Sequence, residues 1–176
     1  MHELKKIRAE SIPRSLRKAE RYRLLNEPRS AESICRDILA VEPDNPEAIK
    51  ILILAITDQF TMPGEPSGLQ ERKQDAESLL GRLPDEYSRL YYKGVMLERW
   101  SKSLLRVKTD PSIVHGYLVR AMAAYTEAEA FSEPGNQDAE LRWNTCVRII
   151  ERYGLSSRPQ TPVIHHDTYG DEVPYR

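Results

Sequence analysis

His165, His166 and Asp167, with Asp171 and Glu172 close behind, are residue types that bind metals. Adjacent histidines rarely point to one centre without a curved loop, and this spacing matches no established ligand signature. No metal is assigned to them. Serine, histidine and aspartate all occur in the chain, yet none stands in a nucleophile elbow, a phosphate loop or a paired metal-ligand helix. Gly64-Glu65-Pro66-Ser67-Gly68 does not follow a strand and lacks the lysine of a phosphate cradle. His115 falls inside a helical stretch beside Tyr117 and reads as a packed or surface residue. Catalysis needs a nucleophile, a base and an orienting group in one place. No catalytic residue and no cofactor is therefore assigned, and the chain is expected not to be an enzyme.

Charge offers a second kind of chemistry. Across 176 residues the formal net charge is −1, but the first thirty residues hold nine Lys/Arg against four Asp/Glu, a net +5, which leaves the remainder at −6. Lys5, Lys6, Arg8, Arg14, Arg17, Lys18, Arg21 and Arg23 make up most of this basic end. An overall charge near zero argues against a general nucleic-acid binder, because phosphate-backbone affinity needs concentrated positive charge. The two cysteines, Cys35 and Cys146, lie in periodic stretches where a buried thiol behaves as a small hydrophobe. The longest apolar run, Ile51 to Ile56, is six residues, far below the roughly twenty of a membrane span. The N-terminus carries no apolar signal stretch, so a cytoplasmic protein without a membrane anchor is expected.

The elements that must position these groups are helices. Apolar or small residues recur every three to four positions over Glu10–Asn26 (Ile12, Leu16, Ala19, Tyr22) and from Pro28 to Val41 (Ala31, Ile34, Cys35, Ile38, Leu39). Glu27-Pro28, Asn45-Pro46 and Asp110-Pro111 each read as an N-cap followed by proline at the first helical position. Further helices are predicted from Pro46 to about Phe60, from about Leu69 to Leu83, from Asp85 to about Lys102, from Pro111 to Phe131 and from Gln137 to Tyr153. Gly154 suits the left-handed residue after the last. Residues 61–68 form a loop in which Ser67 and Gln70 resemble a capping box. The class is all-α with about seven helices, and short connections make successive helices antiparallel neighbours.

The segment from Ile12 to Asn45 resembles the tetratricopeptide repeat family. Small Ala19 and aromatic Tyr22 stand on its first helix, small Ala31 with Cys35 and Ile38 on the second, and Glu42-Pro43-Asp44-Asn45 closes the unit. Pro46–Leu83 is similar through Ala48, Leu52, Ile56, Ala76, Leu80 and Leu83, with an insertion around Pro63 to Gly68. A third unit begins near Tyr87 with Leu90, Gly94 and Leu97, and the stripe around Trp143 is placed to cap the open end. The resemblance covers about residues 10–153 and implies a right-handed superhelical stack of antiparallel helix pairs within a domain of residues 1–153; Pro159, Pro162 and Pro174 and the lack of apolar periodicity make 154–176 an extended or disordered tail.

It also implies a non-catalytic adaptor or assembly factor that holds a peptide or protein in a concave groove lined by the first helix of each pair. Arg17, Arg21, Lys50, Arg89, Tyr92 and Lys93 are the candidate groove residues. Basic and aromatic groups interleaved in this way suit an acidic or aromatic peptide. Members that grip a C-terminal carboxylate do so with Lys, Arg and Asn. The corresponding positions here hold Leu16, Glu20, Ile51, Ser88 and Tyr92, so that clamp is not expected. Two alternatives stand beside the adaptor: an enzyme or small-ligand site between loop 61–68 and the tail, and a structural subunit that self-associates weakly through its open end.

Overall fold

Proline and short polar side chains divide the chain where the sequence places its helix starts. The computed structural model describes residues 2–62 and 68–157, which form α1 (Ile12–Leu24), α2 (Pro28–Leu39), α3 (Pro46–Asp58), α4 (Leu69–Leu80), α5 (Glu86–Arg106), α6 (Pro111–Glu129) and α7 (Asp138–Tyr153). The side chains of Asn45, Asp85 and Asp110 accept hydrogen bonds from the amides of Ala48, Ser88 and Ser112, each satisfying a donor with no partner inside its helix. Pro28, Pro46 and Pro111 sit in first turns, where a missing N–H costs nothing. Asn26 (φ 60°) and Gly154 (φ 57°) turn the chain left-handed just beyond α1 and α7.

Several boundaries differ from expectation. α1 starts at Ile12 because residues 9–11 form a 3-10 turn, and α3 gives way to a second such turn at 59–61. α5 runs on past Lys102 to Arg106, with Leu104 and Leu105 packing against the core. Glu27 occupies the N-cap position of α2, but its carboxylate accepts from Ser30 Oγ at 3.2 Å and caps no helix amide. Ser67, with its expected capping box, lies outside the described residues, as do Gly64, Glu65, Pro66, His165, His166, Asp167 and the tail beyond residue 157.

Each helix packs on the next, and the odd helices also touch in series, α1 with α3, α3 with α5 and α5 with α7. The odd helices thus form one layer and α2, α4 and α6 back it. This is the packing of a one-dimensional, superhelical helical repeat, in which each pair buries the face its neighbour leaves open. One core threads through the stack: Ala19 and Cys35, then Ile49, Ile53 and Ile56, then Val95, Leu97 and Leu118, and at the end Ala139 and Cys146. Both thiols are pushed up to about 12 by burial. Trp143 packs against this core from α7.

Small residues set the helix spacing. A Cβ on Gly94 would stand 2.5 Å from the ring of Tyr125, so α5 and α6 approach as closely as they do only because that position has no side chain. No helix among the described residues is long and apolar enough to cross a membrane.

Candidate functional site

A seam of charged side chains crosses the odd layer. Asp58, at the end of α3, accepts from Arg23 Nε of α1 at 2.7 Å and stands 2.9 Å from Arg99 Nη2 of α5. Arg99 also donates to the Leu54 carbonyl and to Thr57 Oγ1. Burial lowers the pKa of Arg99, and Asp58 works against that shift. Next to it, Glu98 is fully buried. Its carboxylate accepts from Tyr125 Oη of α6 at 2.8 Å and from Lys102 Nζ at 2.5 Å, and Arg142 Nη1 of α7 lies at 3.4 Å.

Burial opposes the charge on Arg142, but Glu98 and a hydrogen bond with Tyr91 outweigh it and raise the pKa. Burial and Glu98 together push the Tyr125 phenol upward. These groups saturate one another. They fix helix against helix and offer little to a ligand.

A hollow of about 500 Å3 opens beside the seam, between α3, the start of α5 and the turn joining α6 to α7. Asp85 caps α5 there and so places Tyr87, Tyr91 and Tyr92 on its first turns. Tyr87 and Tyr91, four residues apart, stack at 5.6 Å between ring centroids, and Tyr92 meets Tyr91 edge-on at 5.3 Å. Burial pushes the Tyr92 phenol up to about 12, with Tyr91 and Glu47 adding to the shift. Tyr87 is raised too, by burial first, with the Asn136 side chain pulling the other way. Both phenols are therefore neutral at ordinary pH.

The opposite wall is Phe131, Glu133, Asn136 and Asp138. Ser132 Oγ donates to the Asn136 carbonyl and Asn136 Oδ1 accepts from the Asp138 amide, which gives this turn a defined shape.

The candidate residues fall into four groups. Lys50 and Tyr92 meet in this hollow, where the Lys50 ammonium lies 3.1 Å from Glu47. Arg89 starts on the same helix, but its guanidinium is occupied by the carbonyls of Leu83 and Pro84 and the carboxylate of Glu86. Lys93 is exposed on α5 and borders neither of the two hollows described here. Arg17 and Arg21 are elsewhere. With Arg14, Ser15, Lys18, Tyr22 and Leu25 they border a separate hollow of about 840 Å3 along α1.

Sequence reasoning passed over Tyr87, Tyr91, Asn136 and the whole seam. The i, i+4 spacing of Tyr87 and Tyr91 was the one local signal for the aromatic floor. The lining also carries a different charge from the basic one expected: Lys50 faces Asp85, Glu86, Glu133 and Asp138. Among the described residues no group of three or more His, Cys, Asp or Glu is arranged to hold a metal ion. Comparison with protein-family models, with curated proteins and with solved structures gives no match for this chain.

Proposed function

We propose that this protein is a non-catalytic interaction module of the tetratricopeptide type, an adaptor or assembly factor that seats a segment of another protein against its odd-helix layer. The observation that carries the reading is the tyrosine-floored hollow, which draws on α3, α5 and the α6–α7 turn at once. A partner lying there would span successive repeat units. Neutral, partly buried phenols supply contact area and hydrogen-bond donors at small ordering cost.

The family likeness has local support. The starts of α1 and α3 are separated by one tetratricopeptide period, about 34 residues, and small Ala19 and Gly94 occupy the positions where the family packs helices closely. Buried free thiols at Cys35 and Cys146 suit a reducing, cytoplasmic setting.

The test is affinity capture from native extract with the intact protein and a Tyr87→Ser/Tyr92→Ser variant side by side, with circular dichroism on both. A partner held by the intact protein and lost by an equally helical variant is the expected result. Equal capture by both proteins would remove the hollow from the binding surface.

A further inference from the structure

Resting on the reading just given, we propose that the hollow selects a cationic partner segment, one that places a lysine or arginine side chain between the Tyr87–Tyr91 pair and the carboxylates of the α6–α7 turn. Three observations converge on this chemistry. First, the floor is aromatic: Tyr87 and Tyr91 stack at 12° between planes, and a cation is attracted to the face of such a ring. Second, the rim is acidic and available. Glu133 and Asp138 are exposed and make no side-chain ion pair among the described residues, whereas the one cation in the lining, Lys50, is engaged by Glu47. Third, Glu140 Oε2, buried near this wall, has no hydrogen-bond partner among the described residues, and Glu140 and Asp138 both act electrostatically on the Tyr87 phenol.

A buried carboxylate oxygen with no donor is costly. An incoming ammonium or guanidinium supplies donors to the Glu133 and Asp138 carboxylates that line the hollow, meets the ring faces in the same movement, and brings positive charge toward the Glu140 side. An acidic segment would instead meet Asp85, Glu133 and Asp138 at close range, where like charges are penalised. This differs from the acidic or aromatic peptide expected from Arg17, Arg21, Lys50, Arg89, Tyr92 and Lys93: Arg17 and Arg21 border another hollow, Arg89 is held by its own turn, Lys93 lies outside, and the α6–α7 turn brings in carboxylates from more than forty positions along the chain.

The experiment is a pair of titrations of the full-length, isotope-labelled protein, followed by amide NMR, with capped heptalysine and capped heptaglutamate as probes. Heptalysine is expected to shift the amides of Tyr87, Tyr91, Tyr92 and Asn136, with affinity that falls as salt is raised. Neutralising the rim with Glu133→Gln/Asp138→Asn, two exposed positions, is expected to weaken it about tenfold. A second variant, Tyr87→Leu, keeps an apolar body without the phenol and is expected to weaken it as well.

Shifts at the same amides with heptaglutamate and none with heptalysine would overturn the cationic preference and leave the hollow as a peptide site. Silence at those amides with both probes would overturn the inference and count against the broader reading. Shifts there that follow protein concentration alone would assign the hollow to a second copy of this chain and overturn the proposal.

Discussion

Arg23 is held 2.7 Å from Asp58 on a neighbouring helix, whereas Arg21, two positions earlier on α1, is exposed and makes no ion pair among the described residues. The contrast extends over the molecule. Arg23, Asp58, Arg99, Glu98 and Arg142 form a seam that ties the odd helices together, and their charges are spent on one another. Arg14, Arg17, Lys18 and Arg21, at i, i+3, i+4 and i+7, form an exposed stripe of like charge along α1. A run of basic residues says nothing by itself about which side chains the fold consumes. The partner on another helix decides that, and for a stack of helices the partner lies a repeat or more away.

Removing a charge from the seam should do most harm. Glu98→Ala leaves Arg142 and Lys102 without their shared carboxylate and Tyr125 Oη without an acceptor. A loss of about 1–3 kcal/mol in denaturant unfolding is expected, chiefly from leaving the buried Tyr125 hydroxyl without an acceptor, since Arg142 and Lys102 keep access to water. A loss below about 1 kcal/mol would place the seam with ordinary surface pairs and erase the contrast.

Asp85 is intermediate, since its carboxylate is spent on an exposed helix end. Burial tends to raise its pKa, but the amide and hydroxyl of Ser88 outweigh that and hold it below the usual aspartate value. A depressed folded pKa contributes stability that is present above the unfolded aspartate pKa and is lost as pH falls through the folded value. Asp85→Ala is expected to cost about 1 kcal/mol at neutral pH, and the difference from the intact protein should shrink toward acid. Urea unfolding at neutral and acidic pH checks both parts.

The exposed stripe should matter least for folding. Arg17→Glu/Arg21→Glu is expected to leave stability within about 0.5 kcal/mol, because neither arginine has an ion-pair partner among the described residues and some like-charge repulsion along α1 is relieved. Large destabilisation in a thermal melt would mean that the stripe is structural after all.

The helices were largely legible in the sequence because their signals are local. Asn45, Asp85 and Asp110 each precede a helix start, and the apolar residues of α2 and α3 recur at helical spacing. The seam and the hollow were less legible because their parts are distant in the chain. Glu98 stands amid Val95, Met96, Leu97 and Trp100 with nothing nearby to announce a buried carboxylate, and its partners Tyr125 and Arg142 are 27 and 44 positions away.

Glu133-Pro134-Gly135-Asn136 reads as a helix break, correctly. That it also walls a hollow floored by Tyr87 and Tyr91 depends on α6 returning along α5. Arg17 and Arg21 were expected beside Lys50 and Tyr92 because all four stand on odd helices. The phase of α1 turns Ala19 and Arg23 toward the stack, while Arg17 and Arg21 are exposed and border a separate hollow along α1.

The hollow at α5, rather than the exposed basic stripe of α1, is held to be the surface where a partner sits. Photo-crosslinking separates the two most directly, with benzoylphenylalanine introduced in place of Tyr92 in one protein and Arg17 in another, and irradiation in native extract. A discrete crosslinked partner from position 92 and none from position 17 is the expected result. A partner trapped from position 17 alone would contradict it and move the binding surface to α1.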